Sequence, residues 1–325
     1  MVRPTRVLAA ALVWIASAIA SAAEYAPLTV DVSPVRVSKS VYYVLGDLGP
    51  ASRANQGFNS NAGFVVTPEG VVVFDALGTP SLGRELLQAI RRVTDQPVRR
   101  VIVSHYHADH VYGLRPFKEA GAEVWAHRRG HDYPQSAAAA ARLEERRASL
   151  APWVNEATSV VPADRWLEND TSFRLGGLTF RVYAVGPAHT PEDLALLVEE
   201  ENVLFIGDLM FAGRIPFTGD ADTGAWLEAI QKVIAYRPAV LIGGHGEASR
   251  SAEADLEFTR EYLVYLRKTM GEAAEALMDF SEAYDRTDWT RYAHLPAFEA
   301  ANRRNTYNVY LRMQSESLAP GTPRQ

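Results

Sequence analysis

Histidine placement is the first chemical feature of this 325-residue sequence, which contains eight histidines and no cysteine. Three of the histidines and one aspartate fall in a six-residue segment, His105-Tyr106-His107-Ala108-Asp109-His110. In an extended turn, side chains two positions apart point to the same side, so His105 and His107 can reach one ion. Asp109 and His110 then turn towards a neighbouring point. Imidazole and carboxylate groups suit Zn²⁺, Mn²⁺ or Fe²⁺, so the segment predicts a metal site.

Three further ligand candidates each follow a predicted strand, beside a glycine or a proline: His189, Asp208 and His245. Side chains converge at strand ends in α/β sheets, and active sites collect there. Two ions ~3.5–4 Å apart can hold a shared hydroxide and polarise a substrate oxygen. A bound metal lowers the pKa of water towards ~7, so hydroxide is available at neutral pH. Asp109 could also orient this nucleophile and relay a proton. The set of residues therefore predicts metal-dependent hydrolysis.

Apolar periodicity indicates the elements that position these residues. We predict edge strands over 28–48, hairpins over 63–75 and 171–185, and strands at 101–103, 123–126, 194–198, 203–206 and 239–242. We predict helices at 81–93, 137–150, 223–235, 252–278 and 297–315. Strands and helices follow one another in two similar halves. This order favours an α/β fold in which two sheets pack together with helices outside.

The N-terminus is typical of a secretory signal peptide. Arg3 and Arg6 precede an apolar run over 7–20, and the small residues Ser21, Ala22 and Ala23 follow. The run is shorter than the ~20 residues that cross a bilayer comfortably, although an uncleaved anchor is the alternative. We predict a signal peptide over 1–23, a catalytic domain over 24–250 and a C-terminal helical extension over 251–325. The mature protein is then periplasmic or secreted, without stable membrane insertion.

Composition narrows the choice of function. Hydrophobic residues make up 47% of the chain, which is enough for a sizeable core, and the formal net charge is −6. Without a basic excess to neutralise phosphates, we expect a small-molecule substrate and no nucleic acid. The absence of cysteine excludes disulfides, iron–sulfur ligation and thiol nucleophiles. We interpret the charged residues 144–147 as a solvated helix face and the histidines at 127, 131 and 294 as surface residues. The polar residues 303–310 either line a substrate mouth or belong to a packing helix.

The seven candidate ligands together resemble the ligand set of the metallo-β-lactamase-fold hydrolases, over about residues 35–250. The resemblance implies an αββα sandwich of two mixed β-sheets, with a site for two Zn²⁺ ions at one edge (Mn²⁺ or Fe²⁺ are alternatives). It assigns His105, His107 and His189 to one metal, and Asp109, His110 and His245 to the other, and Asp208 bridges them. Asp75 resembles the family's aspartate that steadies the histidine-rich loop, although a plain turn residue is the alternative. Asp109 and Asp208 are the implied catalytic carboxylates.

The branch of the family is narrowed by position 208. One lactam-hydrolysing branch has cysteine there, whereas Asp208 is similar to the glyoxalase, lactonase and general metallohydrolase branches. Segments 61–66 and 207–211 also resemble exported SoxH-like zinc hydrolases, which occur with bacterial sulfur-oxidation or quinoprotein systems. We therefore expect an exported dinuclear hydrolase acting through a metal-bound hydroxide on a small ester, thioester, lactone or related acyl substrate. The nearest candidate for a basic substrate anchor is Arg214, since position 211 is Phe211.

Three alternatives remain open at this point. The chain could be a β-lactamase, although weak lactam activity is the expectation from Asp208. It could be a mononuclear iron sulfur oxygenase, although the complete second ligand set favours two metals. It could also be a metal-containing accessory protein with a partner in a periplasmic quinoprotein or sulfur-oxidation system.

Overall fold

Two β-sheets form the centre of the computed structural model, which describes residues 25–219 and 221–318. The predicted signal peptide, residues 1–23, lies outside the described residues. The first sheet contains its strands in chain order: β1 (Pro34–Arg36), β2 (Val41–Val44), β3 (Ala62–Thr67), β4 (Gly70–Phe74), β5 (Val98–Ile102), β6 (Glu123–His127) and β7 (Arg165–Leu167). Strands β1 to β4 pair antiparallel, and β4 to β7 pair parallel. The sheet is therefore mixed, as expected.

The second sheet is also mixed. Its strands are β8 (Thr171–Leu175), β9 (Leu178–Ala184), β10 (Leu194–Val198), β11 (Val203–Phe211) and β12 (Val240–His245), in the spatial order β12-β11-β10-β9-β8. Only the pair β11–β12 is parallel among the described strands of this sheet. Strand β11 runs five residues beyond the predicted end, so Asp208 lies within the strand instead of after it. Register shifts between Phe205 and Phe211 mark this irregular segment.

Helices cover the outer faces of both sheets. The helices are α1 (Pro80–Val93), α2 (Ala108–Val111), α3 (Leu114–Glu119), α4 (Ala137–Leu150), α5 (Thr223–Ala235), α6 (Ala252–Glu275), α7 (Phe280–Arg286) and α8 (Phe298–Leu318). Helix α1 begins at Pro80, where the Thr79 side chain caps it by accepting a hydrogen bond from the Leu82 amide. The predicted long helices are all present, whereas the sequence pattern did not indicate the short helices α2, α3 and α7 or strand β7.

Side-chain alternation along the strands explains the layered packing. In β4, Val72 and Phe74 face the second sheet, where they join an apolar cluster that contains Phe205. Val71 and Val73 face the opposite way and pack with helix α1. A strand that is apolar on both faces must be covered on both faces, which the second sheet and the helices achieve. The expected αββα sandwich is confirmed.

The C-terminal helices pack against the second sheet and against one another. Leu256 and Leu263 of α6 share an apolar cluster with strands β10 to β12, and Tyr262 and Met270 pack towards α8. The domain boundary at residue 250 stays a prediction. Helix α6, which follows this boundary, packs on the second sheet as part of the outer layer of the sandwich. Within the described residues, no helix combines the length and hydropathy needed to cross a membrane.

Candidate metal centre

The seven candidate ligands lie at one edge of the sandwich, where strands of both sheets end. Residues 105–110 follow β5 of the first sheet, and His107 is the N-terminal cap residue of the one-turn helix α2. His189 follows β9 of the second sheet, Asp208 lies in β11, and His245 is the last residue of β12. The two sheets therefore contribute ligands to the same point, although the residues lie far apart in the sequence.

The structure brings the ligand atoms together in two groups. One contains His105, His107, His189 and Asp208, and the other contains Asp109, His110 and His245. Within each group, one nitrogen or oxygen per residue lies within 4.8 Å of the others. All seven residues are buried except His107 and Asp109, which are partly exposed. The histidines and Asp109 fall in the same two sets that the resemblance implies, Asp208 lies with the first set, and the assignment of each residue to a metal stays a prediction.

Asp208 lies between the two groups. Its Oδ2 is 3.3 Å from His189 Nε2 and 3.4 Å from His245 Nε2, and its Oδ1 is 3.2 Å from His110 Nε2. A Cβ on Gly244 would lie 2.0 Å from Asp208 Oδ1, so only glycine leaves room for this carboxylate. One carboxylate thus faces ligand nitrogens of both groups, which is the geometry of a bridging ligand.

Buried polar atoms without partners indicate that the cluster fits a metal. His105 Nε2, His110 Nε2 and Asp208 Oδ1 are buried and have no hydrogen-bond partner among the described residues. Such atoms are costly to bury unless something coordinates them. Their donor types are imidazole nitrogen and carboxylate oxygen, with no thiolate, which suits Zn²⁺, Mn²⁺ or Fe²⁺.

Asp75 fixes the orientation of the histidine-rich loop from behind. Its Oδ1 accepts a hydrogen bond from the Ser104 amide at 2.7 Å, and its Oδ2 accepts from Ser104 Oγ at 2.8 Å. Asp75 Oδ2 also lies 2.9 Å from His110 Nδ1. A proton on His110 Nδ1 donates to Asp75, which leaves His110 Nε2 free towards the cluster. Asp75 has φ of 63°, a left-handed conformation that aspartate tolerates better than most residues.

Backbone and amide groups orient two more ligands. His245 Nδ1 lies 2.6 Å from the Asn59 carbonyl oxygen and donates to it, so His245 Nε2 points to the cluster. Asn59 Nδ2 donates to Asp109 Oδ2 at 2.8 Å. Asn61 Nδ2 donates to the carbonyl oxygens of Gly243 and Gly246, which ties the start of β3 to the end of β12. No motif in the sequence indicates these roles for Asn59 and Asn61.

The loop that carries His189 is fixed by a buried carboxylate. Asp193 accepts hydrogen bonds from the Thr190 amide at 2.7 Å and from Thr190 Oγ1 at 2.8 Å. Burial raises the pKa of Asp193 well above its usual value. Asp193 therefore shapes the turn that places His189 beside Asp208.

Electrostatics prepare the cluster for a cation. Burial lowers the pKa of His107 to about 4 and that of His189 to about 3, so both imidazoles are neutral near pH 7. Burial alone would raise the pKa of Asp208, but the charges of His245 and His110 outweigh it and lower that pKa well below the usual value. Neutral imidazoles and ionised carboxylates are the forms that bind metals. Burial alone would lower the pKa of His110, but the carboxylates of Asp208 and Asp75 outweigh it and raise that pKa well above its usual value, so His110 must release a proton when it binds a metal.

A narrow cavity of about 180 Å³ leads to Asp208, and its charged lining is mostly basic. Four arginines line it: Arg142, Arg146, Arg214 and Arg304. Arg146 was expected on a solvated face, but helix α4 turns this residue towards the cavity. Residues 303–310, expected either to line a substrate mouth or to belong to a packing helix, differ in their environments. Arg304 lines the cavity, whereas Asn305 is buried and donates to the Pro216 carbonyl oxygen.

Arg214, the expected substrate anchor, is buried beside the cluster. Arg214 is only 5% exposed, and its Nη1 donates a hydrogen bond to the Gly49 carbonyl oxygen at 3.2 Å. Nη1 also lies 3.2 Å from His245 Nδ1, which contributes no acceptor there because its proton points to Asn59. Arg214 Nε has no hydrogen-bond partner among the described residues. A role in substrate binding stays a prediction.

The three histidines outside the cluster differ in exposure. His131 and His294 are exposed, as expected, and His131 pairs with Asp132. His127 is 7% exposed, so its expected position on the surface was wrong. His127 is the last residue of β6 and lies opposite Leu167 of β7. Its Nδ1 accepts a hydrogen bond from the Arg129 amide.

Comparisons with known proteins agree with the fold and the cluster. The family model described as "Metallo-beta-lactamase superfamily" matches residues 55–245, more than half of the chain. The chain belongs to the metallo-β-lactamase superfamily. The linear primary-alkylsulfatase of a Pseudomonas strain is 22% identical over 243 residues, which cover 62% of this chain and 45% of the sulfatase. The metallo-β-lactamase IND-1 of Chryseobacterium indologenes is 24% identical over 219 residues, 66% of this chain and 81% of that enzyme. The chain therefore matches less than half the length of the sulfatase.

Solved structures of this superfamily share the fold. A metallo-β-lactamase from Pontibacter korlensis has a TM-score of 0.59 at 22% identity, over 72% of this chain and 99% of that one. A double mutant of the sec-alkyl sulfatase PisA1 has a TM-score of 0.62 at 20% identity, over 90% of this chain and 51% of that one. The second match covers more of the chain than residues 1–250 contain, so it extends into the C-terminal helices.

The superfamily membership confirms the coarser expectations from the sequence. The chain is a metal-dependent hydrolase of this superfamily with a histidine–aspartate cluster able to hold metal. The narrower resemblance to SoxH-like hydrolases, the number of metal ions and the substrate stay predictions.

Proposed function

We propose that this superfamily member is an exported dinuclear hydrolase, acting on a small ester, thioester, lactone or related acyl substrate. The observation that carries the proposal is the position of Asp208, whose two oxygens face ligand nitrogens of both groups. A mononuclear site would need no second set of buried ligands, so this geometry weighs against the single-iron oxygenase.

The residues present fit two metal ions. His105, His107 and His189 would hold the first ion, Asp109, His110 and His245 the second, and Asp208 both. Zn²⁺ is the preferred ion, because the set mixes imidazole and carboxylate ligands without a demand for octahedral oxygen coordination. When bound, two such ions supply Lewis acidity and make hydroxide available at neutral pH.

The chain's own carboxylates orient the reaction. Asp109 lines the cavity, and Asn59 Nδ2 holds its Oδ2. Burial alone would raise the pKa of Asp109, but the charges of His110 and His245 outweigh it and lower that pKa. An ionised Asp109 can accept a hydrogen bond from water in the cavity and so orient it towards the substrate. Asp208 itself is only 3% exposed.

A sulfuric ester is the second candidate substrate. The alkylsulfatase likeness favours it, because the match with the sec-alkyl sulfatase covers 90% of this chain and so extends beyond residue 250. A β-lactam is the weaker candidate, since Phe211 stacks on His245 and provides no cation at position 211. Lactam opening must also expel a poor amine leaving group, whereas alkoxide, thiolate and sulfate leave more readily.

Substitution of Asp208 tests the dinuclear proposal. Metal content is measured by plasma emission on protein purified without chelator, together with rates on an ester, a thioester, a lactone, a cephalosporin and a sulfate ester. We expect about two metal ions per chain in the wild type. Asp208→Ala should lose most of the second ion and nearly all hydrolysis, because both ions lose a ligand. A content near one ion that added Zn²⁺ does not change would contradict the proposal.

Export has a separate test. We propose cleavage after Ala23, which gives a periplasmic or secreted protein able to meet a quinoprotein or sulfur-oxidation partner there. The intact mass of protein from a periplasmic extract should match residues 24–325. A full-length mass in the cytosol would exclude export, and co-purification from periplasm would test for the partner.

A further inference from the structure

We propose that the substrate is a small organic anion, whose oxyanion is held at the cavity mouth by Arg142, Arg146 and Arg304. This inference rests on the proposed hydrolase function and names the class of molecule that the site accepts. The oxyanion, a carboxylate or a sulfate or sulfonate group, lies away from the bond that is hydrolysed.

The charge of the cavity lining supports an anionic ligand. Among the described residues that line it, the basic side chains other than histidine are all arginines, and the carboxylates are Asp109 and Asp208. Both carboxylates belong to the candidate metal cluster, so the rest of the cavity is cationic. The whole chain carries a formal net charge of −6, which makes a basic cavity a local feature. Such a concentration of one sign raises the local concentration of oppositely charged substrates.

The arginines on α4 are arranged at a cost to the helix. Arg142 and Arg146 are four residues apart, so they share one face, and like charges at this spacing destabilise a helix. Arg142 pairs with Glu145 at 2.5 Å. Arg146 makes no hydrogen bond or ion pair to another described residue, although it is partly buried. Its five donors therefore remain available to a ligand.

Arg304 reaches the same cavity from helix α8. Its guanidinium lies 5.7 Å from the centre of the Phe217 ring, which also lines the cavity. A guanidinium packed on an aromatic face keeps its edge free for a bidentate contact with an oxyanion. No hydrogen bond or ion pair joins Arg304 to the rest of the described chain.

Arg214 has a different environment. It is buried beside His245 and donates to the Gly49 carbonyl oxygen, so part of its bonding capacity holds the loop before β3. The three other arginines lie on helices and are more exposed, which places them at the mouth. This separation suggests that the reacting group meets the cluster near Arg214, whereas a distal oxyanion meets the outer arginines.

The cavity also limits the size and shape of the substrate. Its volume of about 180 Å³ accommodates a small molecule only. Ala297, Ala300 and Ala301 line it together with Phe217, which forms an apolar wall between the cluster and Arg304. A short apolar spacer between the scissile bond and the oxyanion fits this wall.

Matched esters test the inference by kinetics. The 4-nitrophenyl ester of acetate is neutral, and the mono-4-nitrophenyl ester of glutarate carries a distal carboxylate on the same leaving group. The metal-loaded wild type should have a kcat/KM at least tenfold higher for the glutarate ester. In the double variant R142Q/R146Q, and in R304Q, the KM for this ester should rise about tenfold or more relative to the KM for the acetate ester, because a charge-assisted hydrogen bond is lost. R142K/R146K should recover part of the loss.

A remote substitution serves as the matched control. Arg91 is an exposed residue of α1 outside the cavity lining, so R91Q removes the same charge without touching the site. R91Q should leave both KM values unchanged. An equal loss in R91Q and R304Q would mean that overall charge is responsible, and would overturn the inference.

Binding of unreactive anions gives a readout that does not depend on turnover. Titration calorimetry with glutarate and with hexane-1-sulfonate, on metal-loaded and metal-depleted protein, should give affinities that fall about tenfold in R142Q/R146Q. Hexan-1-ol, which is neutral, should bind no differently to wild type and variant. Anion binding that disappears on metal removal and ignores the arginine substitutions would overturn the inference.

The outcomes separate this inference from the proposed function. If the enzyme binds metal and hydrolyses both esters equally in wild type and arginine variants, the inference fails while the hydrolase function stands. If no ester is hydrolysed but the anions bind through the arginines, the proposed ester hydrolysis fails and the anion site stands. Arginine-dependent turnover of 4-nitrophenyl sulfate alone would mean that the bound anion is the scissile group, and would overturn the distal placement.

Discussion

At the residue scale, Asp75 shows how a carboxylate outside the ligand set can control the cluster. Three hydrogen bonds converge on it, from the amide and hydroxyl of Ser104 and from His110 Nδ1. Ser104 Oγ also lies 2.9 Å from His105 Nδ1. One buried carboxylate therefore orients two candidate ligands. A plain turn residue would make no such contacts with the histidine loop.

Replacing Asp75 should weaken metal binding. In Asp75→Asn, an NH2 group replaces one carboxylate oxygen and cannot accept the hydrogen bond from His110 Nδ1–H. The His110 imidazole therefore loses its fixed orientation. We expect metal affinity to fall about 10- to 100-fold, as for other partners of metal-binding histidines. Competition with a chromophoric chelator measures the affinity. Asp95→Asn, at an exposed residue after α1, is the control, and equal affinities for the two variants would contradict the role of Asp75.

The sequence predicts individual residues well where the chemistry is local. Histidine and aspartate residues at the ends of predicted strands are easy to recognise in the sequence. All seven candidate ligands found in this way lie together in the structure. The groups that orient them were not predicted. His245 donates a hydrogen bond to the Asn59 carbonyl oxygen, and Thr190 donates to Asp193. Both contacts are made by loops whose sequences contain no recognisable motif. Arg146 was misread because a charged residue on a helix is usually solvated, and only the tertiary packing turns it to the cavity.

At the scale of elements, helix α1 and the cluster are connected by close backbone packing. A Cβ on Gly83 of α1 would lie 2.0 Å from the Gly113 carbonyl oxygen, and a Cβ on Gly113 would lie 1.8 Å from the Ala76 carbonyl oxygen. The Gly113 amide donates to the Leu77 carbonyl oxygen. Gly113 therefore lies between the turn that begins at Asp75 and helix α1, and only glycine allows these backbone segments to approach so closely.

A methyl group at Gly83 should separate these segments. Gly83→Ala is expected to destabilise the fold by about 1–3 kcal/mol, since rigid backbone must shift to relieve the overlap. Urea denaturation measures the change. Gly224→Ala on α5 is the matched control, because its Cβ would meet its nearest neighbour at an ordinary 3.5 Å. The control should be neutral or slightly stabilising, as alanine favours helices more than glycine does. Equal losses in both variants would refute the packing argument.

Element prediction succeeded where periodicity extended over several residues and failed for short pieces. Helices of thirteen residues or more were all anticipated, whereas the four-residue helix α2 was not. Strand β11 was predicted to end near Ile206, since Gly207 and Asp208 suggest a turn. The strand instead continues to Phe211 beside β12, and Gly207 adopts φ of 51° to accommodate the irregular register.

At the scale of the whole molecule, the candidate metal cluster joins the two sheets. His105, His107, Asp109 and His110 follow a strand of the first sheet, whereas His189, Asp208 and His245 belong to the second. Besides the apolar layer between the sheets and hydrogen bonds such as those of Asn61 with Gly243 and Gly246, the cluster is a place where polar groups from both sheets meet. Bound metal would therefore act as a cross-link between the two halves of the sandwich, in addition to its role in hydrolysis.

Metal removal should consequently lower the stability of the entire fold. A ligand that binds the folded state alone stabilises it by about 4 kcal/mol at a concentration 1,000-fold above its dissociation constant, which corresponds to a Tm shift of roughly 10 °C for a chain of this size. Treatment with a chelator should lower the Tm by about this amount in one cooperative transition, and added Zn²⁺ should restore it. Asp208→Ala should begin at a lower Tm and respond much less to the chelator, since both ions have already lost a ligand. If chelation strips the metal while the Tm of the wild type stays constant, the sheets are held by the apolar layer alone and the cluster serves chemistry without joining them.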